Sequence, residues 1–133
     1  LFGGGEMKTE AQELVGLSGF YSRIKSPQAR EAFCLLLGYA SCLNGYEVKI
    51  KPQGELMSVG IYQDHVCPFA FTVNERWLLF YFRKSAVLSK RYSDAELRRA
   101  FDSYKAAQDD EWTVRLRSVD DVRRLIPILA LSL

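Results

Sequence analysis

From Tyr46 onward the hydrophobic pattern of the chain takes a period of two, and this constrains the fold more than any other feature. Tyr46, Val48 and Ile50 alternate with Glu47, Lys49 and Lys51. Successive strand residues point to opposite faces of a sheet, so such a run is a half-buried strand. Further strand-like runs follow at 56–62, 66–73 and 76–83, separated by Pro52-Gln53-Gly54, Gln63-Asp64-His65 and Asn74-Glu75. Turns this short join adjacent antiparallel strands, which predicts a four-stranded meander.

The turns also imply a register. A two-residue loop at Asn74-Glu75 pairs Phe71 with Leu78 and Phe69 with Phe80. The turn at Gln63-Asp64-His65 pairs Val59 with Phe69 and Ile61 with Cys67, and a two-residue loop at Gln53-Gly54 pairs Val48 with Val59. All three choices put Tyr46, Val48, Ile50, Met57, Val59, Ile61, Cys67, Phe69, Phe71, Leu78, Phe80 and Phe82 on one face. A slip of one residue in any strand breaks that agreement. The opposite face carries Glu47, Lys49, Lys51, Leu56, Ser58, Gly60, Pro68, Ala70, Thr72, Trp77, Leu79 and Tyr81.

Helical patterns flank the meander. Leu14, Leu17, Tyr21 and Ile24 recur at helical spacing within 8–24, interrupted by Gly16 and Gly19. Ser26 and Pro27 suit the cap and first turn of a second, largely buried helix, which Asn44-Gly45 stops. Residues 84–92 read as a loop. Ser93 with Glu96 forms a capping box ahead of Leu97, Ala100, Phe101 and Tyr104, in a helix that fades at Asp109. Trp112, Val114 and Leu116 alternate in a fifth strand. Ser118 caps a last helix, with Val119, Val122, Leu125 and Ile126, that Pro127 ends. The expected fold class is α+β: an antiparallel β-meander of four strands plus a fifth strand, with N-terminal helices packed on one sheet face, in αα-ββββ-α-β-α order. Residues 7–133 read as a single domain. Residues 1–6, with Gly3-Gly4-Gly5, read as a leader or vector remnant.

Of the 133 residues 48% are hydrophobic and 26% charged, which excludes a disordered chain. No apolar run approaches the ~20 residues of a membrane span, so no membrane partner is expected. Cys34, Cys42 and Cys67 make an odd set without a disulfide framework, as in a reduced, cytoplasmic protein. Cys34 and Cys42 fall in the second helix, where cysteine acts as a small hydrophobe.

Asp64-His65-Val66-Cys67 would need Cys34 or Cys42 to complete a metal site, and the register turns Cys67 into the core while His65, the one histidine, sits in a turn. The same separation removes a Cys/His nucleophile pair. Glu47-Val48-Lys49 is half of a metal-dependent nuclease pattern, with only Glu31 as a nearby preceding carboxylate. Gly3-Gly4-Gly5 has neither the strand before it nor the Lys-Ser/Thr after it that a phosphate loop needs. No catalytic residue, metal or cofactor is therefore expected, and the chain reads as a binding module rather than an enzyme.

The binding signal is aromatic and basic. Net charge is only +2, yet Arg76, Arg83, Lys84, Lys90, Arg91, Arg98 and Arg99 face only Asp94 and Glu96 within that segment. Stacking aromatics flanked by cations suit single-stranded nucleic acid. The expected contacts are Lys49, Lys51, Trp77, Tyr81, Arg83, Lys84, Lys90, Arg91, Arg115 and Arg117. Ser58, Gly60, Ala70 and Thr72 beside Trp77 and Tyr81 also suggest a shallow groove for a small molecule or peptide. A third expectation is a homodimer through the Trp77/Leu79/Tyr81 face or through the apolar C-terminal tail, its alternative being that the last helix or tail covers that face within one chain.

Overall fold

The computed structural model describes residues 10–53, 56–107 and 110–133. The expected leader, the first residues of the first helix and Gly54 lie outside them. Two helices, α1 (Glu10–Arg23) and α2 (Pro27–Ser41), precede β1 (Glu47–Gln53), β2 (Leu56–Gln63), β3 (Val66–Val73) and β4 (Leu78–Phe82). Then come α3 (Lys84–Leu88), α4 (Asp94–Ala100), β5 (Lys105–Ala107), β6 (Glu111–Leu116) and α5 (Val119–Leu129). The strands form one antiparallel sheet in the order β1-β2-β3-β4-β6-β5. The chain is thus α+β, with a six-stranded antiparallel sheet preceded by two helices.

Local chemistry explains several of these boundaries. Ser26 Oγ accepts from the Ala29 N–H at 3.2 Å, with Pro27 as the first helical residue. The helix ends at Ser41, and Gly45 takes φ +82° just ahead of β1. Ser93 caps α4 through the Glu96 N–H at 3.3 Å.

The three hairpin registers differ from the sequence reading by two residues each. Val48 pairs with Ile61 rather than Val59, Ile61 with Phe69 rather than Cys67, and Phe71 with Phe80 rather than Leu78. A shift of two preserves every side chain's face while changing its partner, so the core face survives. The loop before β4 has four residues, closed by the Asn74 N–H to the Trp77 carbonyl at 3.0 Å. The Glu75 carbonyl accepts from Lys25 at 2.6 Å and Ser26 at 3.2 Å, tying this loop to the α1–α2 junction. Trp77 therefore precedes β4 instead of lying in it, and Leu79 and Tyr81 stand opposite Thr72 and Ala70. Between β2 and β3 the turn is only Asp64-His65, both left-handed (φ 51° and 67°), the backbone of a tight hairpin. A bulge at Cys67-Pro68 then adds a residue to β3, where Pro68 has no N–H for the ladder.

The bulge also corrects Cys67, which was expected in the core. It lies beside Gly60 on the opposite face, and its Sγ bonds the Phe69 carbonyl at 3.1 Å. Cys34 and Cys42 are exposed, against the expectation that they act as small hydrophobes in the second helix. In α1, Phe20 rather than Tyr21 enters the core. Residues 84–88, read as loop, form α3. The helix opened by Ser93 stops at Ala100, and β5 occupies 105–107 where it was expected to continue. Pro127 lies inside α5, which ends only where Ala130 turns left-handed at φ 52°.

Every described helix places buried residues in one core on the first sheet face: Phe20, Phe33, Leu36, Ala86, Leu97, Val122 and Leu125 among them. The sheet contributes Val59, Ile61, Phe69, Phe71, Val73, Leu78, Phe80, Phe82, Val114 and Leu116. Phe33 meets Phe71 edge to face, and Tyr92 closes on Phe69 and Phe82 at 5.8 and 5.2 Å between centroids. The last helix packs on α2 and β6 within this core, Tyr92 Oη donates to the Leu129 carbonyl, and the Asn44 N–H binds the Ser132 carbonyl. The last helix and the start of the tail are thereby used on the core side, while Leu133 stays exposed.

Two outcomes follow for stability. Phe80→Ala removes a fully buried ring and should cost about 3–5 kcal/mol in a denaturant melt; a loss well under 1 kcal/mol would reject the core. Tyr39 Oη is buried with no hydrogen-bond partner among the described residues, so Tyr39→Phe should leave stability unchanged or raised. Burial, with Tyr92 and Tyr46 nearby, pushes the Tyr39 hydroxyl above the ordinary tyrosine range, and burial does the same to Tyr92. The unfolded chain then gives up these protons first. Their contribution is complete below about pH 10 and is lost as pH rises above it, which melts across pH 8–11 will register as a shallower decline in Tyr39→Phe.

Candidate functional site: the open sheet face

The second sheet face lies opposite the core, and its two central rows cross the strands. The first runs Lys49, Gly60, Ala70, Tyr81, Thr113 and Lys105. The second runs Lys51, Ser58, Thr72, Leu79 and Arg115. With strands about 4.8 Å apart, the first row spans about 24 Å. Cations occupy the margins of these two rows, which contain no acidic residue; the adjacent row of the same face carries Glu47 and Glu111 at its margins. The centre is small or aromatic, and Leu79 and Tyr81 are half-buried. The Tyr81 side chain has no ring, ion-pair or hydrogen-bond partner among the described residues.

The floor expected over Ser58, Gly60 and Ala70 is not bare. Tyr62 shares the face of Gly60 two residues away, and its ring lies where a Gly60 side chain would be: a Cβ there would stand 2.5 Å from Tyr62 Cε1. Lys49 Nζ sits 4.7 Å from the centre of the same ring. At the far margin the Arg115 guanidinium lies 4.3 Å from the Trp77 ring centre. Both margins thus carry a cation stacked on an aromatic ring. Ser103 fixes Arg115 from the backbone, its Oγ accepting from the Arg115 N–H at 2.9 Å.

The other expected contact residues divide. Arg83 Nε bonds Glu111 Oε2 at 2.9 Å. Burial opposes the charge on Arg83, but the bond and charge of Glu111 outweigh it and raise the guanidinium above its ordinary value. Arg117 pairs loosely with Asp102 at 3.6 Å, both side chains at least half exposed. Lys84, Lys90 and Arg91 belong to α3 and the turn after it, which packs on the core side through Ala86. The structure does not bring them onto the open face. Lys51 pairs with Ser58 in the ladder; its side chain lies outside the description.

Sequence reasoning missed Tyr62 and Lys105. Alternation from Gly60 would have found Tyr62. Lys105 had no such signal, because three residues are too few to show a period. His65 is exposed in its turn, and among the described residues no three His, Cys, Asp or Glu side chains converge as metal ligands. Nor is any helix among them long and apolar enough to cross a membrane. No family model matches the chain, and the comparisons with curated proteins and with solved structures found no match.

The stacked pairs make a local prediction. Arg115→Ala uncovers one side of Trp77, so iodide or acrylamide should quench its fluorescence more strongly, with Trp77→Phe as the control that assigns the signal against Trp112. Unchanged quenching would show that the pair does not persist in solution. Arg83→Ala should cost about 1 kcal/mol or less, since its ion pair is half open to solvent on the Arg83 side.

Proposed function

We propose that the chain is a non-enzymatic binding module that receives single-stranded nucleic acid on the open sheet face. One observation carries this reading: Tyr81 stands without a partner in the middle of a half-exposed face whose margins hold Lys49, Lys105 and Arg115. A single strand offers base faces for stacking and phosphates for the flanking cations, which a duplex does not offer together. The two requirements match an aromatic centre and basic edges. Lys49 and Arg115 are held by rings rather than neutralised by carboxylates, so their charge stays available to phosphate. A peptide or small molecule over Ser58, Gly60 and Ala70, or a second copy of the chain on Leu79 and Tyr81, would compete for the same face.

Labelled single-stranded oligonucleotides titrated at two salt concentrations test the proposal. Binding should weaken steeply with salt, and Lys49→Gln or Lys105→Gln should each lower the slope of log K against log salt by about 0.7. Tyr81→Ala should cost about 1–3 kcal/mol of binding. Lys90→Gln, on the core side, should change neither. Absence of binding at low salt, or equal effects of Lys90→Gln and Lys49→Gln, would refute the reading. Light scattering separates the homodimer: a dimer that Tyr81→Glu dissociates and that oligonucleotide leaves intact would assign the face to self-association.

A further inference from the structure

Where β6 leads into α5, a cleft of about 510 Å³ opens between the end of α4 and the start of α5, in the size range of small-ligand sites. Arg99, Arg115, Arg117 and Arg124 all line it, and only two acids, Asp102 and Asp121, do so with them. The four arginines come from three elements and the segment after β6, so no single charged run along the sequence produces the concentration.

The two acids do not neutralise the cleft. Asp121 is buried, and both its oxygens are used: Oδ2 accepts from the Arg117 N–H at 2.7 Å, and Oδ1 binds Arg124. Arg124 also reaches the Ala100 carbonyl and lies over the Phe101 ring, so its guanidinium is fixed in place. Asp102 is 92% exposed and 3.6 Å from Arg117, a pair that solvent weakens. Arg115 has the Trp77 ring beneath it and no carboxylate, and Arg99 has no ion-pair, hydrogen-bond or ring partner among the described residues. Holding several guanidinium groups together against their mutual repulsion favours an anion that can neutralise more than one of them. A phosphate group carries up to two charges and enough acceptor oxygens to engage several guanidinium forks, whereas a carboxylate is satisfied by one.

We propose that this cleft binds a phosphate group. The site does not depend on nucleic acid binding at the open face, although Arg115 borders both. A free phosphate compound and the phosphate of a bound strand present the same chemistry, and the experiment separates them. Inorganic phosphate and pyrophosphate are titrated into the whole protein and followed by backbone amide shifts, with the Arg117 and Ser118 amides as reporters. Saturable shifts are expected there, with pyrophosphate the tighter ligand, and Arg99→Ala should weaken it at least about tenfold. Arg99 is exposed and unpartnered, so this variant should keep the fold; Arg117→Ala provides a second variant outside the Asp121–Arg124 pair. Pyrophosphate that competes with a 5′-phosphorylated oligonucleotide identifies the occupant as a strand phosphate. Pyrophosphate that saturates while no oligonucleotide binds keeps the cleft, assigns it to a free phosphate compound, and removes the nucleic-acid reading of the open face. Shifts that fail to saturate, or binding that neither variant weakens, would overturn the cleft whether or not oligonucleotide binds elsewhere.

Discussion

Concentration of the sheet's apolar burial on one side is the constraint from which the other features of this protein follow; on the second face the buried side chains of the two central rows are Thr72 and Thr113. Phe69, Phe71, Phe80 and Phe82 alternate along β3 and β4 and present their rings to the same side, where they meet Phe33 of α2 and Tyr92 after α3. All five described helices contribute buried residues to that layer. Apolar burial at roughly 25 cal/mol per Å² makes this side the main source of stability, and it leaves the opposite side free to be composed for other ends. An antiparallel sheet tolerates such asymmetry because its backbone groups are paired within the ladder and only the side chains of each face meet solvent.

The open face consequently carries residues that a core would reject. Its cations stand at the margins, and two of them rest on aromatic rings instead of carboxylates. Stacking limits their conformational freedom without removing their charge, whereas Arg83, with Glu111 beside it, is largely neutralised. Gly60 belongs to the same arrangement, since any larger side chain would displace the Tyr62 ring that supports Lys49.

Asp121 joins the two sides of the molecule. Its carboxylate receives the Arg117 N–H at the end of β6 and the Arg124 guanidinium one turn into α5, which fixes the helix on its strand. A buried carboxylate is costly unless its oxygens are occupied, and here both are. The same bonds hold Arg117 and Arg124 at the mouth of the arginine-lined cleft, so the junction that seats α5 in the core also concentrates positive charge beside β6.

The sequence by itself determined the face of nearly every strand residue, the cap and first turn of α2, the serine cap of α4 and the strand around Val114. Each of these depends on chemistry within a few residues: a period of two, a serine oxygen near a free N–H, a proline at a first helical position. Which residue faces which across the sheet was settled only in three dimensions. Parity survives a shift of two, so alternation could not distinguish Phe71 opposite Leu78 from Phe71 opposite Phe80. The choice fell to the loop ending at Trp77, which the α1–α2 junction holds from a distance through the Glu75 carbonyl, and to the bulge at Cys67-Pro68. That shift took Trp77 out of the strand and set it beneath Arg115. Likewise Arg99, Arg115, Arg117 and Arg124 lie up to 25 positions apart in the chain; only the packing of α4 and α5 at the end of β6 gathers them, because contacts between elements carry no period for a sequence to display.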